Sequence, residues 1–212
     1  MHESLATLPI KEILTTNYEF TLEKPALNKS VNLKNSGAVS EQKYSLFRQF
    51  EISGKRFWHI HGDANHPQSI ALGYEQYSGY LQNMRNYMVS GTKDNYKSIK
   101  LEALIKRLKR GDYSITSWID LFFSHDIHIL GLGLDFVEIH LWWLLTYRAR
   151  VLNGHKLSRR NKIYYYYPRS REKDDKTKLR FLKAYGVVLR DFDDTLGRES
   201  YYNQILKKLE SV

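Results

Sequence analysis

The second half of the chain alternates short β-prone runs with longer helical ones, three times over. That alternation constrains the fold more than any other feature. Ile127-His128-Ile129-Leu130-Gly131 reads as a buried strand with Gly131-Leu132-Gly133 as its turn, and Phe136–Arg148 follows as a helix. Lys162–Tyr167 reads as a strand closed by Pro168, and Lys176–Tyr185 as a helix. Gly186–Arg190 is a further strand and Tyr201–Leu209 a last helix. Repeated strand–helix units of this kind imply a parallel sheet with helices on its faces. The expected class is therefore α/β, a Rossmann-like parallel sheet with helices on both faces. Four consecutive tyrosines, Tyr164 to Tyr167, are β-prone and alternate between the two faces of their strand.

The first half is less regular. Glu12–Asn17 reads as a short strand, Pro25–Gln42 as a loop, and Arg56–His61 as a second strand stopped by Gly62. Asp63–Ser69 is irregular. Helical spacing follows at Tyr74–Met88, Lys97–Arg110 and Ser117–Phe123, with Gly111 ending the second of these. A helical insertion is thus expected over about 63–125, its helices lying within 70–124, inside a single domain spanning 1–212.

Composition excludes several chemistries. Among 212 residues there is no cysteine, which removes disulfides, thiolate zinc sites, iron–sulfur clusters and a cysteine nucleophile. The same absence fits a reducing, cytoplasmic setting. No apolar run is long enough to span a membrane, and residues 1–10 carry no secretory signal core. The net charge of +10 is local: Arg148–Lys183 holds thirteen Lys and Arg against three Asp and Glu, and the rest of the chain nets to zero. Such a segment is either a polyanion-binding face or a solvated helix with its loops.

In an open parallel sheet, ligands bind outside the carboxyl ends of the strands. The residues to examine are therefore 15–19, 61–65, 131–135, 168–171 and 191–194. In Thr15-Thr16-Asn17-Tyr18-Glu19, the Asn17 amide can orient a water or hydroxyl, or simply close an Asx turn. In Trp58-His59-Ile60-His61-Gly62-Asp63, the two histidines face the same way. They read as a metal pair with Asp63 or His66 as third ligand, as a general base at the strand tip, or as hydrogen-bonded core histidines. Gly131 and Gly133 allow close approach to a phosphate or ribose, or make a tight turn with Asp135 capping the next helix. Trp142-Trp143-Leu144-Leu145 reads as packing.

Taken in order, Thr15-Thr16-Asn17-Tyr18-Glu19, then His61-Gly62, then Gly131-Leu132-Gly133 before a helix, the chain resembles the sirtuin-like family. The likeness runs from about Leu8 to Asp194 and is nearest to the sirtuin-like domains of bacterial anti-phage defence proteins. The resemblance implies binding of NAD as substrate and its hydrolysis to nicotinamide and ADP-ribose, with no metal. It implies that His61 is the catalytic base and that Asn17 positions the reacting ribose or water. It further implies that Thr16 and Glu19 lie by the nicotinamide and its ribose, and that Gly131, Leu132 and Gly133 hold the adenosine side. Glu19 stands where the family has Asp, one methylene shorter. The family's four-cysteine zinc module is absent from Asp63–Asp126, which argues against protein deacylation. Family members begin with a strand and a Gly-Ala-Gly-x-Ser loop that cradles the pyrophosphate, and neither is found here. The expectation is a domain incomplete at its N-terminus: the loop comes from another chain or a homo-oligomer, or the chain is a remnant gene product, or its start codon is internal. Two alternatives stand beside this one. The chain is a catalytically degenerate binding or regulatory module of the same family, or a nucleic-acid-binding protein acting through 148–183.

Overall fold

A computed structural model describes residues 2–24, 33–93, 96–155, 157–158 and 160–210. The chain opens with α1 (His2–Thr7) and β1 (Glu12–Thr15), then forms a hairpin of β2 (Phe50–Ile52) and β3 (Lys55–His59). Helices α2 (Tyr74–Val89), α3 (Leu104–Lys109) and α4 (Trp118–Ser124) follow. The second half runs β4 (Ile127–Ile129), α5 (Ile139–Gly154), β5 (Ile163–Pro168), α6 (Lys176–Ala184), β6 (Val187–Phe192) and α7 (Arg198–Glu210). The class is α/β and Rossmann-like, as the alternation implied.

The described strands form two three-stranded sheets, in the orders β1-β3-β2 and β4-β5-β6. β1 runs parallel to β3 with Thr15 opposite His59. β2 is antiparallel to β3, a strand not foreseen from the sequence. Its turn, Ser53-Gly54, takes left-handed φ values of 51° and 76°, the geometry a two-residue hairpin needs. The second sheet is wholly parallel. Tyr165 and Tyr167 of β5 enter the main core with α5 and α6, while Tyr164 and Tyr166 face Tyr201 and Ile205 of α7. The tyrosine run therefore alternates as expected and gives this sheet helices on both faces.

Several boundaries differ from the sequence reading. Only Leu104–Lys109 of the expected Lys97–Arg110 helix forms. Thr92 is the reason. Its amide donates to the Leu101 carbonyl, its hydroxyl donates to Ile99 O, and its hydroxyl oxygen accepts the Leu101 amide at 2.7 Å. These bonds occupy backbone groups that a helix over 97–103 would need. The helix expected from Phe136 begins at Ile139 and continues to Gly154. Its N-cap is Glu138 rather than Asp135, and Asp135 contributes its carbonyl to the Glu138 amide and the Trp142 indole. β4 is only half-buried, because its outer edge borders a cavity and not another strand. Of the loop expected over Pro25–Gln42, residues 25–32 lie outside the described residues.

Two buried charge pairs fasten α2, α3 and α4 and the strand tips. Asp120 of α4 accepts the Tyr87 hydroxyl of α2, Arg107 Nη2 of α3 at 3.0 Å, and the amides of Thr116 and Ser117. Arg48 donates Nε to Asp63 Oδ2 at 2.7 Å and its terminal nitrogens to the carbonyls of Glu41 and Tyr44. The Arg48 and Asp63 side chains are 1% and 0% exposed. Removing one member of such a pair strands a buried charge. Arg48→Met is expected to lower stability by about 3–5 kcal/mol. Urea denaturation should show this as a lower midpoint at unchanged slope.

Candidate functional site

The parallel register of β1 and β3 carries the two motifs to the same edge of their sheet. Ile60 N donates to Thr15 O, continuing the pairing that sets Thr15 against His59, so Asn17 and His61 leave adjacent strand ends together. Beyond them, the Ala64 amide donates to Tyr18 O and the Tyr18 hydroxyl to Ala71 O, lacing the two tips.

Asn17 is held by its backbone. Its amide donates to Thr15 Oγ1 at 3.0 Å, and its carbonyl lies 2.7 Å from His59 Nδ1. The other ring nitrogen of His59 is 2.6 Å from Glu23 Oε1. His59 is thus a buried clamp between Glu23 and the Asn17 carbonyl. The metal reading that joined His59 to His61 with Asp63 or His66 does not hold. His59 is taken by Glu23 and Asn17, and Asp63 is taken by Arg48 and by His66 Nδ1 at 2.9 Å.

His61 turns instead toward α5. Its Nε2 lies 3.1 Å from His140 Nε2 and 3.0 Å from Glu138 Oε2. His140 Nδ1 is 4.0 Å from the same carboxylate oxygen. His140 is fully buried, stacked on Tyr77 with ring centroids 5.1 Å apart and edge-on to Tyr80. Burial, with the His61 charge adding to it, pushes the His140 imidazole well below the ordinary histidine range. Burial and then the Glu138 charge raise the Tyr18 phenol, and burial, Glu138 and Tyr18 in that order push Tyr77 up to about 12. Both phenols are therefore protonated at neutral pH. Glu138 and His140 were missed from the sequence. Their signal is the Glu138-Ile139-His140 triplet, where a carboxylate and an imidazole two residues apart open a helix.

A cavity of about 340 Å³ separates the two sheets. The outer edges of β1 and β4 border it, and neither edge is paired with another strand among the described residues. Its wall is largely apolar along the strands, through Ile13, Leu14, Ile127 and Ile129, and reaches Thr16, Asn17, Gly131 and Leu132 at the carboxyl ends. These four expected site residues share one space. His61, Glu19 and Gly133 are not part of that lining. Glu19 Oε2 accepts the Thr21 amide at 2.6 Å, a turn contact of its own.

Gly131 has φ +70°, and a Cβ there would lie 3.0 Å from the Tyr202 hydroxyl. Gly133 has no such constraint, its nearest prospective contact being an ordinary 3.6 Å. The carbonyls of the turn are fixed from outside. The Tyr165 hydroxyl lies 3.2 Å from Leu132 O and Gly133 O, and Lys178 Nζ donates to Gly133 O at 2.8 Å. Lys178 and Arg148 belong to the basic segment yet work inward. Arg148 Nε donates to Phe122 O, and burial draws its guanidinium down to about 10.

A family model described as the SIR2-like domain matches residues 11–190, from the start of β1 into β6. Neither a search of curated proteins nor one of solved structures found a match. No described helix is long and apolar enough to cross a membrane.

The two glycine motifs should respond differently to a methyl group. Gly62 has φ +90°, and a Cβ there would collide with the backbone of Ser69 and Ile70. Gly62→Ala is expected to destabilise by about 1–3 kcal/mol, since backbone cannot swing aside as a side chain can. Gly133→Ala should stay within about 0.5 kcal/mol of the parent. Thermal unfolding of the two variants side by side checks the contrast.

Proposed function

The chain belongs to the SIR2-like domain family, and from that premise we propose that it cleaves NAD to nicotinamide and ADP-ribose. The observation that carries this reading is that Asn17 and His61 leave adjacent strand ends at the same end of one sheet, with Gly131 and Leu132 lining the same cavity as Asn17. The bond between nicotinamide and ribose breaks through an oxocarbenium-like state, which needs a positioned nucleophile and a base for its proton. The Asn17 amide offers a donor and an acceptor to a water or ribose hydroxyl, and its backbone is already fixed by Thr15 and His59. His61 is the proton acceptor. The Glu138 carboxylate, 3.0 Å from its Nε2, stabilises the imidazolium that results. Thr16 and Glu19 follow as neighbours of the nicotinamide ribose, and Gly131, Leu132 and Gly133 as the adenosine side.

The same reading has the cavity filled by an extended polypeptide segment ending in a glycine-rich loop. Two features support it. The cavity is bordered by two strand edges that pair with no other strand among the described residues, and its wall is largely apolar along their length. A segment that pairs with both edges would join the two sheets into one and bring backbone amides to the pyrophosphate.

The test is nicotinamide release from NAD by the purified chain, followed by chromatography. His61→Ala and Asn17→Ala are each expected to lower the rate by about 10²- to 10⁴-fold. Unchanged turnover in His61→Ala would mean that another group is the base. Thermal stabilisation by NAD without release would favour the degenerate binding module instead.

A further inference from the structure

His61, Glu138 and His140 present three acceptor atoms to one another within 4.8 Å, and their protons cannot satisfy all of them. His61 Nε2 carries either one proton or one lone pair, yet it faces both His140 Nε2 at 3.1 Å and Glu138 Oε2 at 3.0 Å. If the proton is on His61 and points to His140, the carboxylate oxygen is left without a hydrogen bond, and if it points to Glu138, the His140 Nε2 lone pair is left without a donor. If His140 donates instead, the lone pairs of His61 and Glu138 face each other. Glu138 Oε2, although 3.0 Å from His61 Nε2, is buried without a well-directed hydrogen bond, and His140 Nδ1 is buried without a hydrogen-bond partner. Such groups are costly in a protein interior and call for an explanation. A cation held by His61 Nε2, Glu138 Oε2 and His140 Nε2 supplies one for the carboxylate oxygen, because it accepts all three facing lone pairs at once.

The donor set fits a borderline-soft divalent metal. Two imidazoles and one carboxylate are an ordinary three-ligand zinc set that leaves a fourth position open. With metal–ligand bonds of about 2.0–2.2 Å, tetrahedral ligands stand about 3.3–3.6 Å apart. The observed 3.0 and 3.1 Å edges need to open by only a few tenths of an ångström. Glu138 is the N-cap of α5 and His140 lies in its first turn, so both sit on one rigid element, while Gly62 and Asp63 fix the turn that carries His61.

We propose that His61, Glu138 and His140 form a binding site for a divalent transition-metal cation of the zinc class, and that its occupancy withdraws His61 from proton transfer. The second half rests on the NAD reading above; the first does not. A metal on Nε2 replaces a proton there and leaves Nδ1 as N–H, so the ring no longer accepts a proton.

The site is tested on the whole chain after chelator treatment, by titration with Co²⁺ followed through its visible absorption and by Zn²⁺ displacement of that signal. One equivalent of Co²⁺ is expected to give a tetrahedral spectrum that Zn²⁺ abolishes. Glu138→Gln, which keeps the side-chain shape, and His140→Ala are each expected to weaken binding at least ten-fold. Circular dichroism of both variants shows whether the fold is kept, and Glu138→Gln decides the matter should His140→Ala fail to fold. No Co²⁺ signal, or one untouched by Glu138→Gln, overturns the site. In the activity arm, Zn²⁺ is expected to suppress nicotinamide release and a chelator to restore it. Release unaffected by bound Zn²⁺ overturns the inhibitory role. Absence of release under all conditions counts against the NAD reading alone, since the Co²⁺ spectrum still decides the metal site.

Discussion

The ion pair between Arg48 and Asp63 fixes everything at the first strand tips. Two charges are taken almost wholly out of water, and only the full set of bonds around them makes that tolerable. Arg48 reaches back to the carbonyls of Glu41 and Tyr44, so the segment before β2 is tied to the turn after β3. Asp63 uses its second oxygen on the Asn65 amide and on His66, which shapes the irregular stretch that follows. His61 lies two residues before this anchor, with Gly62 tucked against Ser69 between them. The position of His61 is therefore set by packing and charge outside the site, and not by the histidine's own contacts.

Across the cavity the constraint is of another kind. Among the described residues, β1 and β4 each have one edge paired with a strand and one that borders the cavity. The apolar side chains along them are only partly buried, unlike Ile163 of central β5. The two sheets still share a core through the helices, since Trp58 of β3, Met84 of α2 and Leu144 of α5 belong to one cluster with Tyr165 of β5. Helix packing thus holds the halves in place without strand pairing between them. The carboxyl ends of β1 and β4 stay open to each other, and Asn17 faces the Gly131–Leu132 turn there.

The sequence was most legible where burial is two-sided and local. The βαβ rhythm of the second half, the alternating tyrosines and the packing of Leu144 and Leu145 all follow from periodicity, and the core has them so. It was least legible where one side chain overrides propensity. Thr92 holds 99–101 out of a helix that hydrophobic spacing favoured, and no window over 97–110 contains it. β2 is three residues long and depends on its Ser53-Gly54 turn, too short for alternation to register. Among the candidate site residues, the strand-tip rule led to Asn17 and His61. It could not lead to Glu138 and His140, which belong to a helix start far along the sequence, His140 lying 79 residues from His61.

His59 and His61 show how little a shared face decides. The two rings are separated by one residue, yet they answer to different carboxylates, Glu23 and Glu138. His59 meets a side-chain carboxylate on one nitrogen and a backbone carbonyl on the other, so both nitrogens are matched and the ring serves as a strut for Asn17. His61 meets a second imidazole and a carboxylate on the same nitrogen, so its partners outnumber what one nitrogen can satisfy. An imidazole with every bond matched is structural material. One whose surroundings offer more acceptors than it has protons is poised to exchange a proton or bind a cation, and that difference separates the two histidines more sharply than their spacing does.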